Sequence, residues 1–156
     1  MAGDAPRVAF DANVFFYAVD HKDAEKHRRC AGLLDAAMDA GVGCAPLQAL
    51  GEFCYAAVRK KVLTRRQAAA AAKDWACVFE TLAASERDFK LALDWWSDER
   101  LSWWDALLVS TAAQSGMTAI VSEDMSDGMI HGGVEIINPF AADLKKRLAA
   151  HSFALD

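Results

Sequence analysis

Short apolar runs alternate along the chain with longer stretches in which apolar residues recur every three or four positions. Residues 7–10 are the first run, and it ends abruptly at Asp11, the pattern of a buried strand with an acid at its C-terminal end. Residues 24–40 carry a helical stripe through His27, Ala31, Leu34 and Met38, with Gly41 as the stop signal. A short strand is predicted over 43–45, and Pro46 suits the first turn of a helix running to about residue 61. The cleanest amphipathic pattern spans 65–79, with Ala68, Ala71, Ala72, Trp75, Ala76 and Phe79 on one face. Residues 86–97 repeat it, and Phe89, Ala92, Leu93 and Trp96 are the expected buried face. A further helix is predicted over 104–115, ended by Gly116, followed by strands at 118–121 and 134–137. Asn138 and Pro139 stop the last strand, and a final helix covers about 141–149.

Strands alternating with helices predict an α/β fold, a three-layer α/β/α sandwich around a short central parallel sheet. The chain of 156 residues contains no repeat or linker, so one domain over 1–156 is expected. In such folds functional groups gather at the carboxyl edge of the sheet. Asp11 and Asp124 both stand just past a predicted strand.

Four acids deserve comparison with their plain structural roles. Asp11 can serve as a turn or N-cap residue. Its neighbours Phe10 and Val14-Phe15-Phe16, however, make an ionised carboxylate there expensive unless a cation meets it. Glu52 falls on the flank of its helix with Gln48 and Arg59, where a solvated glutamate is ordinary. Asp105 stands three residues after Ser102, the spacing of a capping box at a helix start. Asp124 follows the strand at 118–121 directly, with Asp127 three residues on; Glu123 and Asp127 read as solvated neighbours or secondary contributors. Acids brought together from separate elements repel one another unless a cation neutralises them. Oxygen ligands without Cys or His favour Mg²⁺ or Mn²⁺ over zinc, and such a centre suits phosphate chemistry.

Composition narrows the classes. The formal charge of −5 argues against a passive nucleic-acid binder but not against a nuclease, because acids that hold cations count as negative here. Cys30, Cys44, Cys54 and Cys77 are scattered without a C-x-x-C pair, and read as small buried thiols of a reducing, cytoplasmic compartment. Residues 1–7 lack the apolar segment of a signal peptide, and no apolar run is long enough to span a bilayer. Arg59, Lys60, Lys61, Arg65 and Arg66 cluster at the joint of two helices, either as a solvated helix end or as phosphate contacts. A receiver domain would show paired acids at the first strand and a lysine late in the sheet, whereas Lys145 and Lys146 fall in the last helix. A haloacid-dehalogenase-like phosphatase would carry D-x-D, and here Asn13 takes the second place.

The segments Val8-Ala9-Phe10-Asp11-Ala12-Asn13-Val14, Glu52, Trp104-Asp105-Ala106-Leu107-Leu108 and Val121-Ser122-Glu123-Asp124 together resemble PIN-domain ribonucleases, and most closely VapC toxins of type II toxin–antitoxin pairs. Gly128 and Ile137-Asn138-Pro139-Phe140 resemble a branch of these toxins, so the likeness covers nearly the whole chain. The resemblance implies Asp11, Glu52, Asp105 and Asp124 as a catalytic acidic pocket, with Asp11, Asp105 and Asp124 holding Mg²⁺ or Mn²⁺. It implies Asn13 and Ser122 as polar supports and Asp127 as a further contributor, with no expected acid missing. It also implies an RNA substrate, a cognate antitoxin that blocks the pocket, and a homodimer. A non-toxin RNA-processing nuclease and a catalytically silent protein-binding module are the alternatives.

Overall fold

The computed structural model describes residues 8–156. Arg7, expected in the first strand, and the segment read for a signal peptide lie outside these residues. β1 (Val8–Phe10) is buried along its whole length because it pairs on both sides in parallel, with β2 (Cys44–Pro46) and with β4 (Ala119–Val121). A strand so placed is covered on both faces and needs an unbroken apolar run, as Val8-Ala9-Phe10 provides. β3 (Glu80–Leu82) extends the parallel sheet beyond β2, and β6 (Val134–Ile137) extends it beyond β4. β5 (Ile130–His131) adds an antiparallel edge, giving the order β3-β2-β1-β4-β6-β5.

Side chains alternate across this sheet and divide the core in two. Val8, Phe10, Ala119, Val121 and Ile137 face α1 (Ala12–Tyr17), α2 (Ala24–Ala40), α3 (Leu47–Arg59) and α7 (Leu144–Ala150). Ala9, Ile120, Val134 and Ile136 face α5 (Glu86–Ser97) and α6 (Trp103–Gln114). This is the expected α/β/α sandwich. α4 (Arg65–Val78) packs outside α3, where Trp75 stands 4.8 Å from the Phe15 ring and 5.0 Å from that of Phe53. The predicted α4 stripe holds, with Ala68 and Phe79 buried and Ala71, Ala72, Trp75 and Ala76 half-buried.

Several expectations are corrected. The buried face of α5 is Asp88, Ala92 and Trp95, whereas Phe89, Leu93 and Trp96 are exposed. The two apolar faces lie one residue apart on the helix, and a capping box between Ser85 and Asp88 turns the Asp88 side inward. Three elements were not foreseen. α1 is an apolar run buried on most sides, without an amphipathic period. β3 buries only Leu82. β5 is two residues long and returns through Gly132 and Gly133, both at positive φ, a tight hairpin that the Gly-Gly pair signals. Of the cysteines, Cys30 and Cys44 are buried, Cys54 is half-buried and Cys77 is exposed; all four are free thiols. No helix among the described residues is long and apolar enough to cross a membrane.

Gly43, at the entry to β2, has φ +94°, and a Cβ there would stand 2.8 Å from Cε2 of Phe10. Phe10 has little room to yield, being fully buried against Phe15, Phe79 and Phe153. Gly43→Ala is therefore expected to destabilise the fold by about 2–3 kcal/mol. That is a fall in Tm of roughly 5–10 °C, read by thermal denaturation; unchanged melting would mean that the Phe10 ring can move aside.

Candidate active site

Parallel pairing of β1 and β4 brings their carboxyl ends side by side: the Asp11 amide donates to the Val121 carbonyl at 3.0 Å, and that of Ser122 to Ile137 at 3.0 Å. Asp11 then caps α1, its Oδ1 accepting from the Ala12 amide at 2.7 Å. Its Oδ2 accepts from Ser122 Oγ at 2.7 Å and from Asn13 Nδ2 at 3.4 Å. The same Asn13 amide lies 3.2 Å from Ser122 Oγ and 3.3 Å from Asp124 Oδ2, while Asn13 Oδ1 accepts from the Glu123 amide at 3.1 Å. Asn13 and Ser122 thus tie the first acid to the fourth.

Glu52 and Asp105 reach the same region from the two helical layers. Gln48 Nε2 donates to Glu52 Oε1 at 2.9 Å and to the Trp104 carbonyl at 3.0 Å, linking α3 to the start of α6. Only half of the expected capping box forms there. Ser102 Oγ accepts from the Asp105 amide at 3.4 Å, but the Asp105 carboxylate returns no bond. Asp124 lines two recesses. One, of about 490 Å³ between α1 and α3, also touches Asn13, Glu52, Arg59 and Lys60; the other, of about 200 Å³, touches Ser102, Asp105 and His131. Asp11 lies beneath, 7% exposed.

Burial pushes the Asp11 carboxyl up to about 6; hydrogen bonds from Ser122 and Ala12 oppose this, and the charges of Glu52 and Asp105 add to it. Among the described residues, no lysine, arginine or histidine pairs with Asp11, Glu52, Asp105 or Asp124. Nor do any three His, Cys, Asp or Glu side chains among them form a group that could hold a metal ion as they stand. The donors are all oxygen and their repulsion is uncompensated, which fits a hard, hydrated cation reached partly through water.

Asp127 is not in this group. Its carboxylate takes two bonds from Arg147 Nη1, at 2.8 and 3.1 Å, and accepts from the Asn138 amide at 2.8 Å, so it braces β6 and α7. Glu123 is not merely solvated either. It pairs with Lys26 and accepts from Tyr17 Oη at 2.5 Å, clamping the segment that carries Ser122 and Asp124 against α1 and α2. Of the basic cluster, Arg59 and Lys60 face the larger recess, and Arg65 lines a neighbouring one with Tyr55. Arg66 is exposed and lines neither.

Residues 8–126 match the PIN domain family, and the chain belongs to it. Its fold is similar to VapC20 of Mycobacterium tuberculosis, described as a Sarcin-Ricin loop cleaving toxin, at 20% identity and a TM-score of 0.59, over 75% of this chain and 89% of that one. It is also similar to DNA-bound VapBC from Salmonella typhimurium, at 14% identity and a TM-score of 0.59, over 84% and 96% of the two chains. VapBC2 from Rickettsia felis, bound to a fragment of promoter DNA, matches at 14% identity and a TM-score of 0.60, over 84% and 98%. No curated protein matches the sequence.

A carboxyl whose folded-state value lies above its ordinary one holds its proton more tightly in the folded chain. Asp11 therefore weakens the metal-free fold little below pH 3.8 and fully above about 6. Asp11→Asn removes this penalty, at most about 3 kcal/mol at ~1.36 kcal/mol per pH unit. In EDTA the variant is expected to melt above the wild type at pH 7.5, with the gap narrowing at pH 5. Parallel melting curves at both pH values would show that Asp11 carries no such strain.

Proposed function

We propose that this chain is a Mg²⁺- or Mn²⁺-dependent endoribonuclease, the toxin of a type II toxin–antitoxin pair. The observation that carries this reading is the group of four acids at the carboxyl edge of a parallel sheet, none paired with a basic side chain among the described residues and one of them buried. In this reading Asp11, Asp105 and Asp124 hold the cation, with Asn13 and Ser122 fixing the directions of Asp11 and Asp124. When bound, the cation supplies Lewis acidity and a more acidic water. Glu52, held by Gln48, orients the attacking water toward the RNA phosphodiester, and the products carry a 5′-phosphate and a 3′-hydroxyl. Arg59, Lys60, Arg65 and Arg66 contact flanking phosphates, with the first two nearest the acids.

Membership of the PIN family and the fold likeness to VapC proteins support the toxin reading. Two of those neighbours are VapBC complexes, which supports a cognate antitoxin as partner. A homodimer belongs to the same reading. The exposed Phe89, Trp96 and Trp104 support it, since monomers seldom leave a large apolar patch in water. Free thiols and the absence of a membrane-crossing helix among the described residues accord with a cytoplasmic setting.

Purified, antitoxin-free chain is expected to cut total RNA into discrete fragments with Mg²⁺ or Mn²⁺ and not with EDTA. Asp11→Asn and Asp105→Asn should lower the rate by more than about 100-fold, and Ser122→Ala by about 10–100-fold, the range for groups that orient metal ligands. Cleavage that survives EDTA or either Asp→Asn change would overturn the assignment.

A further inference from the structure

Asp124 is fixed by its neighbours in the chain more than by contacts of its own. Its side chain is exposed, and its carboxylate makes one hydrogen bond among the described residues, from Asn13 Nδ2 at a long 3.3 Å. It stands in the loop that leaves β4 and rejoins the sheet where the Gly128 amide donates to the Ile136 carbonyl at 2.8 Å. Two other acids of this loop are both engaged. Upstream, Glu123 pairs with Lys26 of α2 and accepts from Tyr17 Oη of α1 at 2.5 Å. Downstream, Asp127 takes Arg147 Nη1 of α7 at 2.8 and 3.1 Å and the Asn138 amide at 2.8 Å. Arg147 is itself held by Glu135 at 3.0 Å and by the Ile136 carbonyl at 3.0 Å. Between the two anchors Met125 is buried, 6% exposed. The loop is therefore tied down on both sides of Asp124, to one helix near the start of the chain and to another at its end.

We infer that Lys26 and Arg147 are positioning residues: through Glu123 and Asp127 they hold the loop so that Asp124 faces the cation it shares with Asp11 and Asp105. This assignment rests on the metal-dependent reading of the acids, and it gives Asp127 the part of an anchor in place of that of a ligand. A metal site needs its ligands held closely by groups that do not themselves touch the metal. Charge alone works in the opposite direction. Lys26 and Arg147 are cations beside an acidic pocket, so their field opposes the binding of a further cation. If charge were all that mattered, removing either would tighten metal binding. An Asp127 freed from Arg147 and able to serve as a ligand would tighten it too. If the two cations aim Asp124, removing either loosens the metal. The two accounts differ in sign.

The test titrates Mn²⁺ into the full chain without RNA at pH 7.5, reading the free ion by electron paramagnetic resonance; RNA cleavage is followed separately. Lys26→Met keeps an unbranched side chain over the Tyr17 and Phe140 rings, and Arg147→Met likewise removes charge while keeping length. Both should retain the circular dichroism of the wild type and bind Mn²⁺ about tenfold more weakly, the lower end of the range for groups that orient metal ligands. Lys26→Arg, which restores the ion pair, should recover most of the loss. In an Asp124→Asn chain, Lys26→Met should change the affinity by less than about twofold, because its effect runs through Asp124. An affinity unchanged or tighter in either folded variant overturns the inference, as does a full tenfold loss that persists in the Asp124→Asn chain. If Arg147→Met fails to fold, Lys26→Met and its double variant decide the matter. A wild type that cuts RNA and binds Mn²⁺ no better than Lys26→Met leaves the nuclease reading standing and removes the anchors. A wild type whose Mn²⁺ affinity depends on Lys26 through Asp124, yet which cuts no RNA, does the reverse. A wild type that binds no Mn²⁺ overturns both.

Discussion

The Asp11 carboxylate is the constraint on which the rest of the arrangement turns. It lies at the end of a strand with neighbours on both sides, 7% exposed, with Glu52 and Asp105 close enough to add their charge to its strain. A buried carboxylate without a cation survives only if hydrogen bonds meet its oxygens. Three groups supply them: the Ala12 amide, Ser122 Oγ and Asn13 Nδ2. The first and last are local to the chain, whereas the Ser122 bond depends on the parallel register of β1 and β4, which sets residue 11 beside residue 122. A one-residue slip of β4 would carry Ser122 to the other face and cost Asp11 its shortest side-chain bond, the 2.7 Å one from Ser122 Oγ.

Such a site loads the fold with repulsion, and two devices elsewhere offset it. The first is the aromatic cluster under α1, where Phe10, Phe15, Phe53, Phe79 and Trp75 meet at ring separations of 4.8–6.5 Å. It fixes α1, and with it Asn13. The second is a pair of charge clusters beside the site. Arg147 binds Asp127, Glu135 and the Ile136 carbonyl, and His151 reaches Glu135 at 2.6 Å, so the end of the chain braces β6. Lys26 joins Glu123 while standing 4.8 Å over the Tyr17 ring and 5.2 Å over that of Phe140. Both clusters draw acids out of the pocket's neighbourhood into pairs, whereas the four acids of the pocket have no basic partner among the described residues.

How much of this the sequence discloses depends on how local each cause is. The limits of α2 and α5 match their predicted ranges because caps and period are local signals: Asp23 and Ser85 start those helices, and Gly41 ends α2. Three of the four acids could be listed because two follow strands and one opens a helix, and Glu52 joined them through the family resemblance. Their meeting at one edge of the sheet could not, since it depends on sheet register. Glu123 looked solvated because its partners lie 97 and 106 residues away in the chain. Asp127 looked like a candidate because Arg147, which neutralises it, is 20 residues distant in another element. On α5 two apolar stripes competed, and hydrophobicity favoured the one with Phe89 and Trp96. The face that packs carries Asp88, whose Oδ1 is buried without a partner, which a hydrophobic pattern cannot foresee.

Charge placement makes local recognition necessary. An acidic chain repels polyanions at long range, so it gains little from the diffuse attraction that basic proteins use to hold RNA. Affinity must then come from groups within contact distance. On the proposed function these are the groups on one face of α3, where Glu52, Tyr55 and Arg59 follow one another toward the helix C-terminus. That order gives the groove a direction, with acids at one end and cations at the other. Gly51, beside the acid, leaves the floor clear at the expense of helix propensity.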